Sequence, residues 1–157
     1  MSFLLCHSCQ LGKHVCLPFS DSSSHTSMPF ELVHCDVWTS PVASVSGYQY
    51  YLVLFDDFTH FCWTFPLTRK FEVSTHIANF CNYVHTQFSL AIKAVQADNG
   101  TEFVNNTLHT LFASRGIHLR LSCPYTSPQN GKAERLLRTL NNISRTMLLH
   151  AHMPAQY

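Results

Sequence analysis

Acidic residues are scarce in this chain: nine Asp and Glu among 157 residues, with charged side chains of either sign at only 12%. Together with 46% hydrophobic and 13% aromatic residues, this excludes a charge-rich disordered chain and is ample for a packed core. Long apolar runs are missing as well. The longest is Tyr50 to Phe55, far short of the roughly 20 residues that a membrane helix needs, so no membrane partner is expected. Met1 to His7 have neither a basic n-region nor a long apolar h-region, so no secretory signal is visible and the chain reads as intracellular. A paired cysteine set is absent too. The count is seven, and Cys35, Cys62, Cys81 and Cys123 sit in apolar stretches. These read as reduced core thiols, not a disulfide framework. Without a secretion signal, the Asn-X-Ser/Thr triplets at Asn99, Asn105 and Asn142 read as chance.

What is present has room for one medium domain and a short extra piece. Residues 1–18 are rich in Cys and His, residues 19–30 are a polar linker, and residues 31–157 read as one α/β domain without internal repeats. The pattern predicts strands at about 31–38, 50–55, 61–66, 91–97 and 117–122, with Asp56 to His60 as a hairpin turn. It predicts helices at about 70–88, at 101–114 with Thr101 as cap, and at 132–150. In the last helix Ala133, Leu136, Leu137, Leu140, Ile143, Met147 and Leu148 form the expected buried stripe.

Three of the few acids stand in distinctive places. Asp36 interrupts the apolar run Leu32 to Trp38, Asp98 ends the run Ala94 to Ala97 before Asn99-Gly100, and Glu134 opens the last helix. The 35 residues between Asp98 and Glu134 allow one helix, one strand and one loop, enough chain to leave a site and return. An unpaired carboxylate inside an apolar strand loses several kcal/mol, roughly, on desolvation or stays protonated. A cation would remove that penalty, and backbone donors at a strand end would also satisfy it. Three carboxylates suit hard divalent cations and phosphodiester chemistry. Asp56, Asp57 and Glu102 are rival ligands. Asp56 and Asp57 point to opposite faces of a strand and suit a turn. Glu102 suits the dipole at a helix N-terminus.

Charge is also unevenly placed. Residues 115–157 hold six basic side chains and one acid, whereas residues 1–114 hold four basic and eight acidic ones. A basic stretch around a lone acid reads as a polyanion-binding face with a metal ligand inside it. Glu134 and Arg138 are four residues apart, and Asn141, Asn142 and Arg145 continue nearly the same face. Lys132 and Arg135 add to the basic surface, and the preceding loop offers Tyr125, Gln129 and Asn130 for stacking on, or bonding to, a nucleic-acid end.

Four runs tie these residues to a known pattern: His34-Cys-Asp-Val-Trp38, Phe55-Asp-Asp-Phe-Thr59, Gln96-Ala-Asp-Asn-Gly-Thr-Glu-Phe103 and Ser127-Pro-Gln-Asn-Gly-Lys-Ala-Glu-Arg135. They resemble the integrase core of copia-type LTR retrotransposons, across nearly the whole chain. The resemblance implies a ribonuclease H-like fold, a five-stranded mixed sheet flanked by helices. It also implies two Mg²⁺ or Mn²⁺ ions held by Asp36, Asp98 and Glu134, and metal-dependent DNA strand transfer. Element ends and target DNA are the implied partners, with a homo-oligomer when full length, in the nucleus or a cytoplasmic particle. Cys6-His-Ser-Cys9 looks like the end of the family's His-His-Cys-Cys zinc module. The two upstream histidines are missing, so Cys6 and Cys9 form half a Zn²⁺ site and weak or no zinc binding is expected. The family's core continues with another helix beyond Tyr157, so the chain looks like a piece of a longer Pol polyprotein. Two alternatives stay open: an inactive nucleic-acid-binding remnant, and a ribonuclease H-like nuclease.

Overall fold

A computed structural model describes residues 25–122 and 131–153. Cys6, Cys9, Tyr125, Gln129 and Asn130, together with the Cys/His-rich segment 1–18, lie outside the described residues. The elements run β1 (Val33–Thr39), β2 (Tyr50–Asp56), β3 (Cys62–Leu67), a 3₁₀ turn (Lys70–Glu72), α1 (Val73–Phe88), β4 (Ala94–Ala97), α2 (Asn106–Arg115), β5 (His118–Leu121) and α3 (Gly131–His150).

The strands form a sheet in the order β3-β2-β1-β4-β5. The β1–β2 and β2–β3 pairs are antiparallel, whereas β1–β4 and β4–β5 are parallel. Alternation along β1 divides its side chains between two faces. Val33 and Cys35 join Leu52, Leu54, Val95 and Ala97 in the main core, under Val73, Ile77, Phe80 and Val84 of α1 and Leu108 and Phe112 of α2. His34, Asp36 and Trp38 take the other face. There Trp38 packs on Tyr51, whose hydroxyl donates to Asn141 Oδ1 of α3 at 3.0 Å. Thus α1 and α2 cover one face, and α3 crosses the face that bears Asp36.

The end of the expected linker is held against this domain. Ser27 binds Glu31, and Phe30 enters the core against Trp63, Phe80 and Phe88. Phe30 has a left-handed φ of 60°, unfavourable for a side-chain-bearing residue. Its N–H donates to Asp56 Oδ1 at 2.8 Å, which fixes that conformation.

Two expectations need correction. The helix predicted from Thr101 begins at Asn106, capped by Asn105, whose Oδ1 accepts from Leu108 N–H at 3.0 Å. Residues 101–104 instead turn back, with the N–H groups of Phe103 and Val104 both donating to the Gly100 carbonyl. That turn drives Phe103 into the core. The apolar stripe of α3 is buried only at its start, at Ala133 and Leu137. Ile143 and Met147 are 50% and 66% exposed, because the second half of the helix runs beyond the apolar core.

Candidate active site

Asp36 sits in the middle of β1, opposite Val53 of β2. Its Oδ1 accepts the Val37 N–H at 2.8 Å. Burial pushes its carboxyl up to about 6, and the charges of Asp98, Glu134 and Glu102 act in the same direction, against the Val37 hydrogen bond. Residues distant in sequence therefore meet in one electrostatic field.

Asp98 follows the C-terminal end of β4, a usual place for ligand sites in α/β sheets. Its Oδ1 accepts the Gly100 N–H at 2.9 Å. Gly100 matters for its missing side chain: a Cβ there would come within 2.9 Å of Asp98 Oδ1 and 2.8 Å of Glu102 Oε2. A side chain there would have to push the ends of these two carboxylates aside. Glu102 is not in the first turn of a helix as expected. It pairs with Lys70 Nζ at 2.8 Å, and its side chain is nearly buried. It stands beside Asp98 rather than serving a helix dipole.

Glu134 lies in the first turn of α3 and is exposed. Next to it the chain forms a polar network that the sequence did not disclose. Lys132 donates to Asp57 Oδ1 across 75 residues of chain. His34 Nε2 donates to the same oxygen at 2.8 Å, and Thr26 Oγ1 donates to Asp57 Oδ2 at 3.1 Å. Burial lowers the basicity of His34 and outweighs the opposing pull of Asp57, while Lys132 adds to the lowering. The imidazole is therefore neutral, with its proton on Nε2, and Lys132 supplies the countercharge for Asp57. His34 Nδ1, buried and without a hydrogen-bond partner among the described residues, is then a bare acceptor, a cheaper loss than an unpaired N–H.

Asp56 and Asp57 are thereby separated from the acidic cluster. Asp56 is fully buried and accepts from Phe30 N–H, Thr59 N–H and Thr59 Oγ1, the turn role read from sequence. Asp57, also buried, serves α3 through Lys132.

Arg135, Arg138 and Arg145 are exposed on α3. Asn141 is turned partly inward to Tyr51 and so leaves the Arg face expected for it. Arg145 borders an open cleft of about 650 Å³ with Trp38, Pro41, Thr64 and Ser144, which none of Asp36, Asp98 and Glu134 lines.

The donor set around Asp36 is all oxygen and carries crowded negative charge, which fits a hard divalent cation. Among the described residues, no three acidic, His or Cys side chains close around one point as a finished coordination shell. The described arrangement is thus an anionic field open to an ion.

Comparison with known proteins decides the family. The model of the integrase core domain matches residues 26–127. The chain belongs to that family. Integrase-core relatives include the retrovirus-related Pol polyproteins from transposons RE1 and RE2 of Arabidopsis thaliana. Each is 36% identical to this chain, over 155 and 154 residues respectively. Those alignments cover 99% and 98% of this chain but 10% of each relative, so the chain spans about a tenth of their length. Among solved structures, an intasome of simian T-cell lymphotropic virus, in complex with PP2A regulatory subunit B56 gamma, superposes with a TM-score of 0.69 at 16% identity. It covers 95% of this chain and 52% of that one. The five-stranded mixed sheet with flanking helices is accordingly the ribonuclease H-like fold of the integrase core.

Proposed function

We propose that this integrase-core chain joins DNA ends to a target by divalent-metal-dependent strand transfer. The observation that supports it best is the setting of Asp36, a largely buried carboxyl in mid-strand that burial first, and then the charges of Asp98, Glu134 and Glu102 from separate elements, push up to about 6. Asp36, Asp98 and Glu134 would hold two Mg²⁺ or Mn²⁺ ions, which when bound supply Lewis-acid activation of the attacking hydroxyl or water and stabilisation of the leaving oxygen. Arg135, Arg138 and Arg145 would meet backbone phosphates along α3, with Lys132 contributing the donors that Asp57 leaves free. Tyr125, Gln129 and Asn130, in the segment before α3, would contact the DNA end. Glu134 is exposed, and no covalent protein–DNA intermediate is required. A homo-oligomer would bring two DNA ends together. Residues 1–18 would complete a Zn²⁺ module at Cys6 and Cys9 only with histidines supplied upstream, residues 19–30 would link that module to the core, and residues 31–157 would form the catalytic part.

The test is strand transfer of a labelled element-end duplex in Mg²⁺ or Mn²⁺. Asp36→Asn, Asp98→Asn and Glu134→Gln should each abolish joining while circular dichroism and melting show an intact fold. Joining at the wild-type rate by any of the three would refute the assignment. RNA cleavage in hybrids without DNA joining would replace it with a ribonuclease reading.

A further inference from the structure

The link between Lys132 and Asp57 joins two parts of the fold that have no local reason to stay in register. Glu134 is presented by α3, and Asp36 by β1. The two arrive from opposite ends of the domain sequence. For both to act on one ion, the roll of α3 about its own axis must be fixed, because a helix turns 100° per residue.

Ala133 is fully buried at the start of α3. Lys132 and Glu134 therefore project to either side of it, about 100° away in each direction. A roll of the helix that moved Glu134 would also withdraw Lys132. The anchor for Lys132 is itself rigid. Asp57 N–H donates to the Leu32 carbonyl at 3.0 Å, and its side chain is held by His34 and Thr26. Its side chain is only 5% exposed, whereas that of Lys132 is 54% exposed. His34 lies on β1 two residues before Asp36, on the same face. A continuous chain of contacts thus runs from the strand bearing Asp36, through His34, Asp57 and Lys132, to the first turn bearing Glu134.

We propose that Asp57, held by His34, is a positioning residue that acts through Lys132 to fix the roll of α3 and so place Glu134 relative to Asp36. This rests on the metal-site reading for its consequence but not for its geometry. It also gives Lys132 a first duty other than phosphate contact. Displacement of a reacting group by about 1 Å is enough to cost large factors in rate, so the clamp matters even though it touches no substrate.

The full chain tests it with two readouts, amide hydrogen exchange and the binding of Mn²⁺ alone. Lys132→Met keeps the aliphatic stem and removes the charge. It should speed exchange of the amides at 135–139 about tenfold and weaken Mn²⁺ binding by a similar factor, with exchange in β1 and β2 unchanged. Lys132→Arg, which can still pair with Asp57, should retain both properties. Asp57→Asn should reproduce Lys132→Met, and if burial makes that variant unstable the Lys132 pair decides alone. Wild-type exchange and Mn²⁺ affinity in Lys132→Met would overturn the proposal. So would a loss confined to DNA affinity, which would make Lys132 a phosphate contact only. Glu134→Gln separates the two readings: it should lose Mn²⁺ affinity with α3 exchange unchanged. Wild-type Mn²⁺ binding by that variant would sink the metal site, while the exchange data would still judge the clamp.

Discussion

Asp36 is a carboxyl that its surroundings hold partly protonated near neutral pH. Its folded pKa, about 6, lies above the ordinary Asp value. The native state therefore binds more protons than the unfolded chain between about pH 4 and 6. Without metal, the contribution of Asp36 to stability is complete below that window and falls as pH rises through it. Asp36→Asn in EDTA should gain about 1–2 kcal/mol at pH 7, allowing for its partial exposure, and should flatten the melting profile from pH 4 to 6. Thermal melts at stepped pH check this. Mg²⁺ should raise the wild-type midpoint and leave that of Asp36→Asn almost unchanged. Asp56 has the opposite role. It is fully buried with three donors aimed at it, so Asp56→Ala should cost about 2–4 kcal/mol in denaturant melts. A loss below about 0.5 kcal/mol would refute that role.

At the scale of elements, α3 is a helix with a docked beginning and an exposed end. Ala133 and Leu137 are buried, Tyr51 reaches Asn141, and Ile143 and Met147 face out. Ala133→Leu has no space to occupy against the sheet and should cost about 1–3 kcal/mol by lifting the first turn. Met147→Ala, on the exposed end, should stay within about 0.5 kcal/mol. Paired urea melts distinguish the two, and equal losses would contradict the asymmetry. The apolar runs of β1 and β2 and the periodicity of α1 were legible in the sequence, because burial writes itself into residue type and spacing. The start of α2 was not. Thr101 and Asn105 both suit a cap, and the choice fell to Phe103, whose burial needs the chain to turn before the helix begins. The same competition took Glu102 from the helix dipole to Lys70.

At the scale of the molecule, charge is divided between an acidic cluster around Asp36 and a basic surface on α3. Under the proposed function, phosphate binding by that surface would release counterions, so DNA affinity should fall steeply with salt. Replacing Arg138 and Arg145 together by Ala should weaken binding on any DNA sequence and reduce the slope of log affinity against log salt by about 2. Fluorescence anisotropy over a salt series measures it, and an unchanged slope would remove α3 from the interface. No described helix is long and apolar enough to cross a membrane, in keeping with the short apolar runs of the sequence.

The sequence by itself determined the family, the strand and helix pattern, and the isolation of Asp36, Asp98 and Glu134 as acids at special places. Each of these is a local matter of residue type and spacing. Only the tertiary structure decided which acids share a field and which do not. Asp57 looked like a turn residue and proved to anchor Lys132 from 75 residues away. Asp56 kept its turn and was buried with it, and Glu102 came to lie beside Asp98 because Gly100 leaves room there. The reason is physical: electrostatic interaction depends on distance and burial in space. A chain's local pattern fixes neither until strands pair and α3 is set down across them.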